Sequence, residues 1–178
     1  MIYRYIEPFI LEHLSTVSPK LLLLLGPRQT GKTTLIKKVT SQIAGKTLSL
    51  TGDDPTVRTR LTDVGIEGLR PLLEGYDLLV LDEAQRIRNI GITLKLMADH
   101  FPRTRVVATG SSSFELANQI NEPLTGRKVE FYLYPVCWQE WSDHVGVFTA
   151  ESGLEQRLLY GMYPEVLMQP GHEKEVLA

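Results

Sequence analysis

Apolar positions recur along this chain in two different periods. Ile2, Ile6, Phe9, Ile10, Leu14 and Val17 return at three- and four-residue steps, which predicts a short amphipathic helix in the first segment, with Pro8 tolerated near its start. Leu21 to Leu25 is instead uniformly apolar and ends at Gly26, as a parallel strand covered on both faces would. Thr33 to Ala44 then carries Leu35, Ile36, Val39 and Ile43 at helical spacing, with Gly45 where a helix would stop. Lys46 to Leu50 predicts a short strand. Asp53, Asp54 and Pro55 form a turn that starts a helix through Val57, Leu61 and Val64, resumed over Leu69 to Leu73 after interruptions at Gly65 and Gly68.

Asp77 to Asp82 repeats the apolar-run pattern, and Ile90 to Phe101 follows as a helix with Ile92, Leu96 and Met97 toward the core. Arg105 to Thr109 is a further strand. Gly110 and three serines lead into a short helix near Phe114 to Gln119, and Val129 to Tyr134 is the last strand, ended by Pro135. Strands alternating with helices imply right-handed βαβ units and a mostly parallel five-stranded sheet. The remainder reads as helical, with breaks at Gly146, Gly161, Pro164 and Pro170; Trp138 and Trp141 form one face of a packed helix.

Composition narrows the class. The 178 residues suit a single domain, 43% are apolar and 22% charged, and the formal charge of -2 supplies no global basic field for nucleic acid or an anionic membrane. The longest apolar run is far short of the ~20 residues that span a bilayer. Neither an apolar signal core nor a cleavage site is visible at the N-terminus, and Cys137 is the only cysteine, so a cytoplasmic protein without a disulfide is expected. His13, His100, His144 and His172 are too scattered for a zinc site.

Gly26-Pro27-Arg28-Gln29-Thr30-Gly31-Lys32-Thr33 fits G-x-x-x-x-G-K-[ST] at every fixed position, between the first strand and the first long helix. The glycines let the loop curl until successive N-H groups, through Thr34, face one phosphate site, and the helix N-terminus adds partial positive charge there. Lys32 reaches the β- and γ-phosphates, and the Thr33 hydroxyl ligates Mg²⁺. Leu78-Leu-Val-Leu-Asp82-Glu83 delivers two carboxylates to the C-terminal end of a parallel strand, the edge where ligands bind. Asp82 holds Mg²⁺ through a water, and Glu83 orients and polarises the attacking water. The whole predicts an α/β P-loop NTPase, a three-layer αβα sandwich, binding ATP with Mg²⁺.

Other positions leave alternatives open. Thr109 or Ser111 sits where a hydroxyl can sense the γ-phosphate, although serines after a strand also cap helices. Arg127, after Gly126, is either an arginine finger reaching across a subunit boundary or a solvated arginine at a strand edge. Arg28 and Arg86 pair with phosphate, with Asp53 or Asp54, or with solvent.

In order and spacing, GPRQTGKTTL, LLVLDEAQRI, VVATGSSSFEL, LTGRKVEFYLYPVCWQEW and GMYPEV resemble the N-terminal AAA domain of a large group of predicted bacterial and archaeal AAA+ ATPases, over nearly the whole chain. The resemblance implies the ASCE/AAA+ type of fold and the roles above for Lys32, Thr33, Asp82 and Glu83. It also adds support for Arg127 as a subunit-bridging arginine that self-association would bring into play. It divides residues 1–178 into an N-terminal helix (1–18), a nucleotide-binding sheet core (19–135) and a helical tail (136–178) cut short before a further C-terminal domain. The expected activity is ATP hydrolysis, low in the truncated chain, that drives a motor or switch for an unidentified partner protein or nucleic acid, with no membrane partner. Two other readings use the same loop: a small-molecule or nucleoside kinase, against which Glu83 argues, and a slow nucleotide-dependent binding module.

Replacing Lys32 by Ala should abolish tight triphosphate binding, because the lost charge-assisted contact costs on the order of 2 kcal/mol or more. Titration with a fluorescent ATP analogue checks this, and an unchanged affinity would remove Lys32 from that role.

Overall fold

The computed structural model describes residues 1–16, 20–111 and 124–177. Five strands, β1 (Leu21–Leu25), β2 (Thr47–Thr51), β3 (Leu78–Asp82), β4 (Arg105–Gly110) and β5 (Lys128–Tyr132), form one sheet in the order β2-β3-β4-β1-β5. All four pairings are parallel. Because β4 lies between β1 and β3, Leu24 pairs with Thr109 on one side while Leu81 pairs with Ala108 on the other.

The leucine run of β1 explains the layers. Its alternate side chains point to opposite faces, and all five are buried. Leu21, Leu23 and Leu25 join Leu79, Leu81, Val106 and Ala108 against α3 (Pro55–Leu61), α4 (Ile66–Leu73) and α5 (Ile90–His100). Leu22 and Leu24 join Leu78, Val80 and Val107 against α1 (Glu7–Ser15) and α2 (Lys32–Thr40). Beyond β5 the chain continues as α6 (Trp138–Val145), α7 (Val147–Ser152), α8 (Leu154–Tyr160), α9 (Pro164–Met168) and α10 (Glu173–Leu177). A small third cluster of Ile2, Val136 and Leu167, with Trp141 packed on it, ties this tail to the N-terminus. No helix among the described residues is long and apolar enough to cross a membrane.

Several expected elements differ in detail. Ile2 precedes α1, which starts at Glu7 with Pro8 in its first turn. Helix α2 stops at Thr40, four residues before Ala44; the Thr40 and Ser41 hydroxyls bond back to the Ile36 and Lys38 carbonyls, and the chain turns toward Gly45. Gly68 does not interrupt a helix but lies inside α4, which Gly65 caps. In α5 the inward face is Ile90, Leu94 and Met97 at helical spacing, with the Thr93 hydroxyl donated to the Leu61 carbonyl; Ile92 is 56% exposed rather than in the core. Pro164 opens α9 instead of breaking a helix, and Gly153 adds a break between α7 and α8. Trp141 packs inward, whereas Trp138 is exposed. The expected helix near 114–119 and Val17 lie outside the described residues.

The fold fixes the start of the glycine-rich loop through one close approach. Gly26 has φ 156°, and a Cβ there would lie 2.1 Å from the Leu133 carbonyl oxygen, whose own N-H is bonded to Leu25 O at 2.7 Å. Gly26→Ala should therefore lower the unfolding free energy by about 2 kcal/mol through overpacking against rigid backbone. A urea denaturation midpoint equal to the parent's would refute this.

Candidate active site

The loop of residues 26–31 leaves the C-terminal end of β1 and closes at Gly31, which caps α2 with φ 92° and meets nothing at the position of a Cβ. Gln29 also adopts a left-handed conformation. Thr30 is fully buried, and its hydroxyl donates to the Pro27 carbonyl at 3.0 Å, bracing the loop from within. Lys32 is buried as well; its ammonium donates to Gly26 O at 2.8 Å and Pro27 O at 2.7 Å. Burial pulls the Lys32 pKa below the ordinary lysine value, the Glu83 and Asp82 carboxylates oppose that shift, and Arg28 adds to it. The loop cation and the two strand-end acids thus share one electrostatic neighbourhood.

Asp82 is the centre of the second half. Its Oδ2 accepts from the Thr33 hydroxyl at 2.7 Å, across 49 positions of sequence, and its Oδ1 accepts a short hydrogen bond from the Thr109 hydroxyl. Thr109, fully buried, also accepts from the Glu83 N-H at 3.3 Å. A single hydroxyl on β4 therefore contacts both acidic positions at the end of β3. The strand order requires this, because β4 lies between the loop strand and the acid strand.

Glu83 has φ 49° and ψ 43°, the left-handed region that a side-chain-bearing residue seldom enters. Gly52 accommodates that bend: its N-H donates to Asp82 O at 2.8 Å, and a Cβ on it would lie 2.3 Å from Glu83 O. The Glu83 carboxylate accepts from the Gln85 amide at 2.5 Å, leaving Gln85 Oε1 buried without a partner among the described residues. A cavity of about 310 Å³ beside α2 runs past Thr33, Asp82 and Thr109, and one of about 140 Å³ is lined by Met1, Ile2, Arg4, Gly31, Val136 and Met168.

The structure thus brings together Gly26, Pro27, Thr30, Gly31, Lys32, Thr33, Asp82, Glu83 and Thr109. Arg28, Gln29 and Thr34 lie on the exposed side of the same loop and helix start, and Ser111 follows β4 at the same sheet edge. Arg86 turns away to pair with Asp53 at 2.8 Å. Arg127 is not at this edge in its own chain. It precedes β5, at the opposite end of the strands, where it pairs with Asp99 at 2.5 Å and holds that carboxyl below its usual range. Sequence reasoning assigned no role to Arg4, Gly52 or Gln85; Gln85 falls within the quoted LLVLDEAQRI stretch, and Arg4 stands out as a charge within an otherwise apolar and aromatic start, whereas Gly52 carried no signal.

The fully buried Thr109 hydroxyl should matter more than the exposed one of Thr33. Thr109→Val, of the same shape, should destabilise the fold by about 2 kcal/mol because a carboxylate and an amide lose their partner together. Thr33→Val should cost about 1 kcal/mol or less. Equal losses in parallel urea titrations would contradict this geometry.

Comparison with known proteins agrees with the architecture. No curated protein matches the chain. A Walker-type ATPase of Pyrococcus abyssi superposes with a TM-score of 0.62 at 17% identity, over 94% of this chain and 65% of that one. The Orc1 protein of Aeropyrum pernix, solved in complex with DNA, superposes with a TM-score of 0.58 at 16% identity, over 85% of this chain and 50% of that one. This chain therefore spans less than two thirds of the length of either. Residues 18–142, which carry the loop, the strand-end acids and all five strands, match the model of the AAA domain family, and the chain belongs to that family.

Proposed function

We propose that this domain binds ATP with Mg²⁺ and hydrolyses it to ADP and phosphate. The observation that carries the reading is the meeting of the Thr33 hydroxyl and the Asp82 carboxylate at the N-terminus of α2, beside Lys32. Two hard oxygen donors side by side suit Mg²⁺, and among the described residues no three His, Cys, Asp or Glu side chains cluster into a complete cage. Such a site fits a cation whose remaining ligands are water and phosphate oxygens. When bound there, Mg²⁺ would supply neutralisation of the phosphate charge.

The remaining groups take separate roles. Lys32 exchanges the Gly26 and Pro27 carbonyls for β- and γ-phosphate oxygens, an exchange that favours its charged form. Glu83 orients a water and draws on its proton as the water oxygen attacks the γ-phosphorus; the bond to the β-γ bridging oxygen breaks, and ADP leaves with that electron pair. Thr109 can serve as a sensor, because its hydroxyl touches Asp82 and the Glu83 backbone, and Ser111 follows at the same sheet edge. The largely apolar cavity lined by Met1, Ile2, Val136 and Met168, with Arg4 and Glu7 also on its wall, fits the flat face of a purine base on the other side of Gly31. Likeness to a Walker-type ATPase supports the same reading, as does the extra strand between loop and acids. In a longer protein, the domain would act as motor or switch for a partner.

Glu83→Gln should preserve ATP binding and slow phosphate release by ~100-fold or more. Turnover equal to the parent's, at matched nucleotide occupancy, would reject hydrolysis through Glu83.

A further inference from the structure

The segment before α1 sends one charged side chain into the interior. Arg4 is 8% exposed, and its guanidinium is spent on three separate parts of the chain. Nη1 donates to the Thr30 carbonyl in the phosphate loop at 3.0 Å. Nη2 donates to Tyr134 O at 2.6 Å and, more weakly, to Pro135 O at 3.4 Å, just past β5. Nε pairs with Glu140 Oε2 at 3.0 Å, in the first turn of α6. Glu140 is itself held on both oxygens: Oε1 accepts from the Tyr5 N-H at 2.8 Å, and Oε2 also accepts from the Cys137 N-H at 3.0 Å as half of a capping box.

Pinning the N-terminus does not need this arrangement, since Ile2 already packs on Val136 and Leu167. Burying an ion pair is costly in desolvation and seldom stabilises more than apolar packing of the same volume would. The contact with Thr30 is the part that packing could not provide. No peptide bond among the described residues is cis, so the Thr30 carbonyl and the Gly31 N-H point in opposite directions from one plane. A guanidinium that grips the carbonyl thereby turns the Gly31 N-H away from itself, at the residue where the loop enters α2. Arginine suits the task because its donors form a rigid planar fork, which a lysine ammonium cannot reproduce.

We propose that Arg4 is a positioning residue of the phosphate loop, fixing the 30–31 peptide so that the Gly31 N-H is presented to phosphate, and that Glu140 holds Arg4 in place for this. The first helix of the tail then sets nucleotide affinity from outside the sheet. This inference rests on the ATP reading above.

The test uses the full chain with Mg²⁺ and a fluorescent ATP analogue, and measures the thermal midpoint of each variant alongside its affinity. Arg4→Lys should bind about tenfold more weakly, and Glu140→Gln about threefold, with KM rising in proportion and kcat changing by less than about twofold. The double variant Arg4→Met with Glu140→Met restores apolar packing, so its midpoint should recover toward the parent's while its affinity stays about tenfold low. Folded variants that bind within about twofold of the parent would overturn the inference and leave Arg4 as an anchor of the N-terminus. Should the double variant not fold, Arg4→Lys and Glu140→Gln decide alone. A parent that binds no ATP would instead overturn the functional reading, an outcome the variants cannot mimic.

Discussion

The hydrogen-bonded carboxylate of Asp82 is the point on which this site depends. It ends β3, yet one oxygen is held by Thr33 at the start of α2 and the other by Thr109 on β4, so three chain segments converge on one group. The observed strand order brings this about. With β4 between β1 and β3, a buried hydroxyl stands between the loop and the acids, and α2 crosses the sheet face from Gly31 to bring Thr33 within 2.7 Å. A charge left partly buried at a strand end would be costly without such partners. Under the proposed function Thr33 and Asp82 would also hold Mg²⁺, so the stability of the sheet edge and its chemistry would share the same atoms.

The glycine-rich loop is tied to its surroundings at both ends. At Gly26 the backbone lies against Leu133 too closely for any side chain, and at Thr30 the carbonyl is taken by Arg4. Both contacts lead to the stretch just after β5, and from there to α6. The loop is therefore braced against the start of the helical tail, while Lys32 is held by the loop's own carbonyls, bonds that under the proposed function it would trade for bonds to phosphate. A rigid frame around one exchangeable cation is the kind of preorganisation that electrostatic catalysis needs.

Much of this was legible in the sequence because it rests on local patterns. Uniformly apolar runs at Leu21–Leu25 and Leu78–Asp82 locate the buried strands, and the glycine-rich motif locates the loop between β1 and α2. Helix ends were less legible: α2 stops early because Thr40 and Ser41 side chains compete for its carbonyls, and Ile92 faces solvent because the phase of α5 is set by Ile90, Leu94 and Met97. Long-range pairings left no trace in spacing. Arg4 with Glu140, 136 positions apart, and Gly52 against Glu83 arise only from the folded sheet. Arg127 shows the converse, a sequence neighbour of the last strand that the parallel topology carries to the far edge.

The central claim is that the Asp82 cluster and the loop together form a magnesium-dependent ATP-hydrolysing site. Release of inorganic phosphate from ATP, followed without any added acceptor and with Mg²⁺ either present or chelated, tests it most directly. Phosphate and ADP should appear in equal amounts with Mg²⁺ and neither when Mg²⁺ is chelated. No phosphate release under either condition, or ADP formation that appears only when an acceptor is supplied, would contradict it.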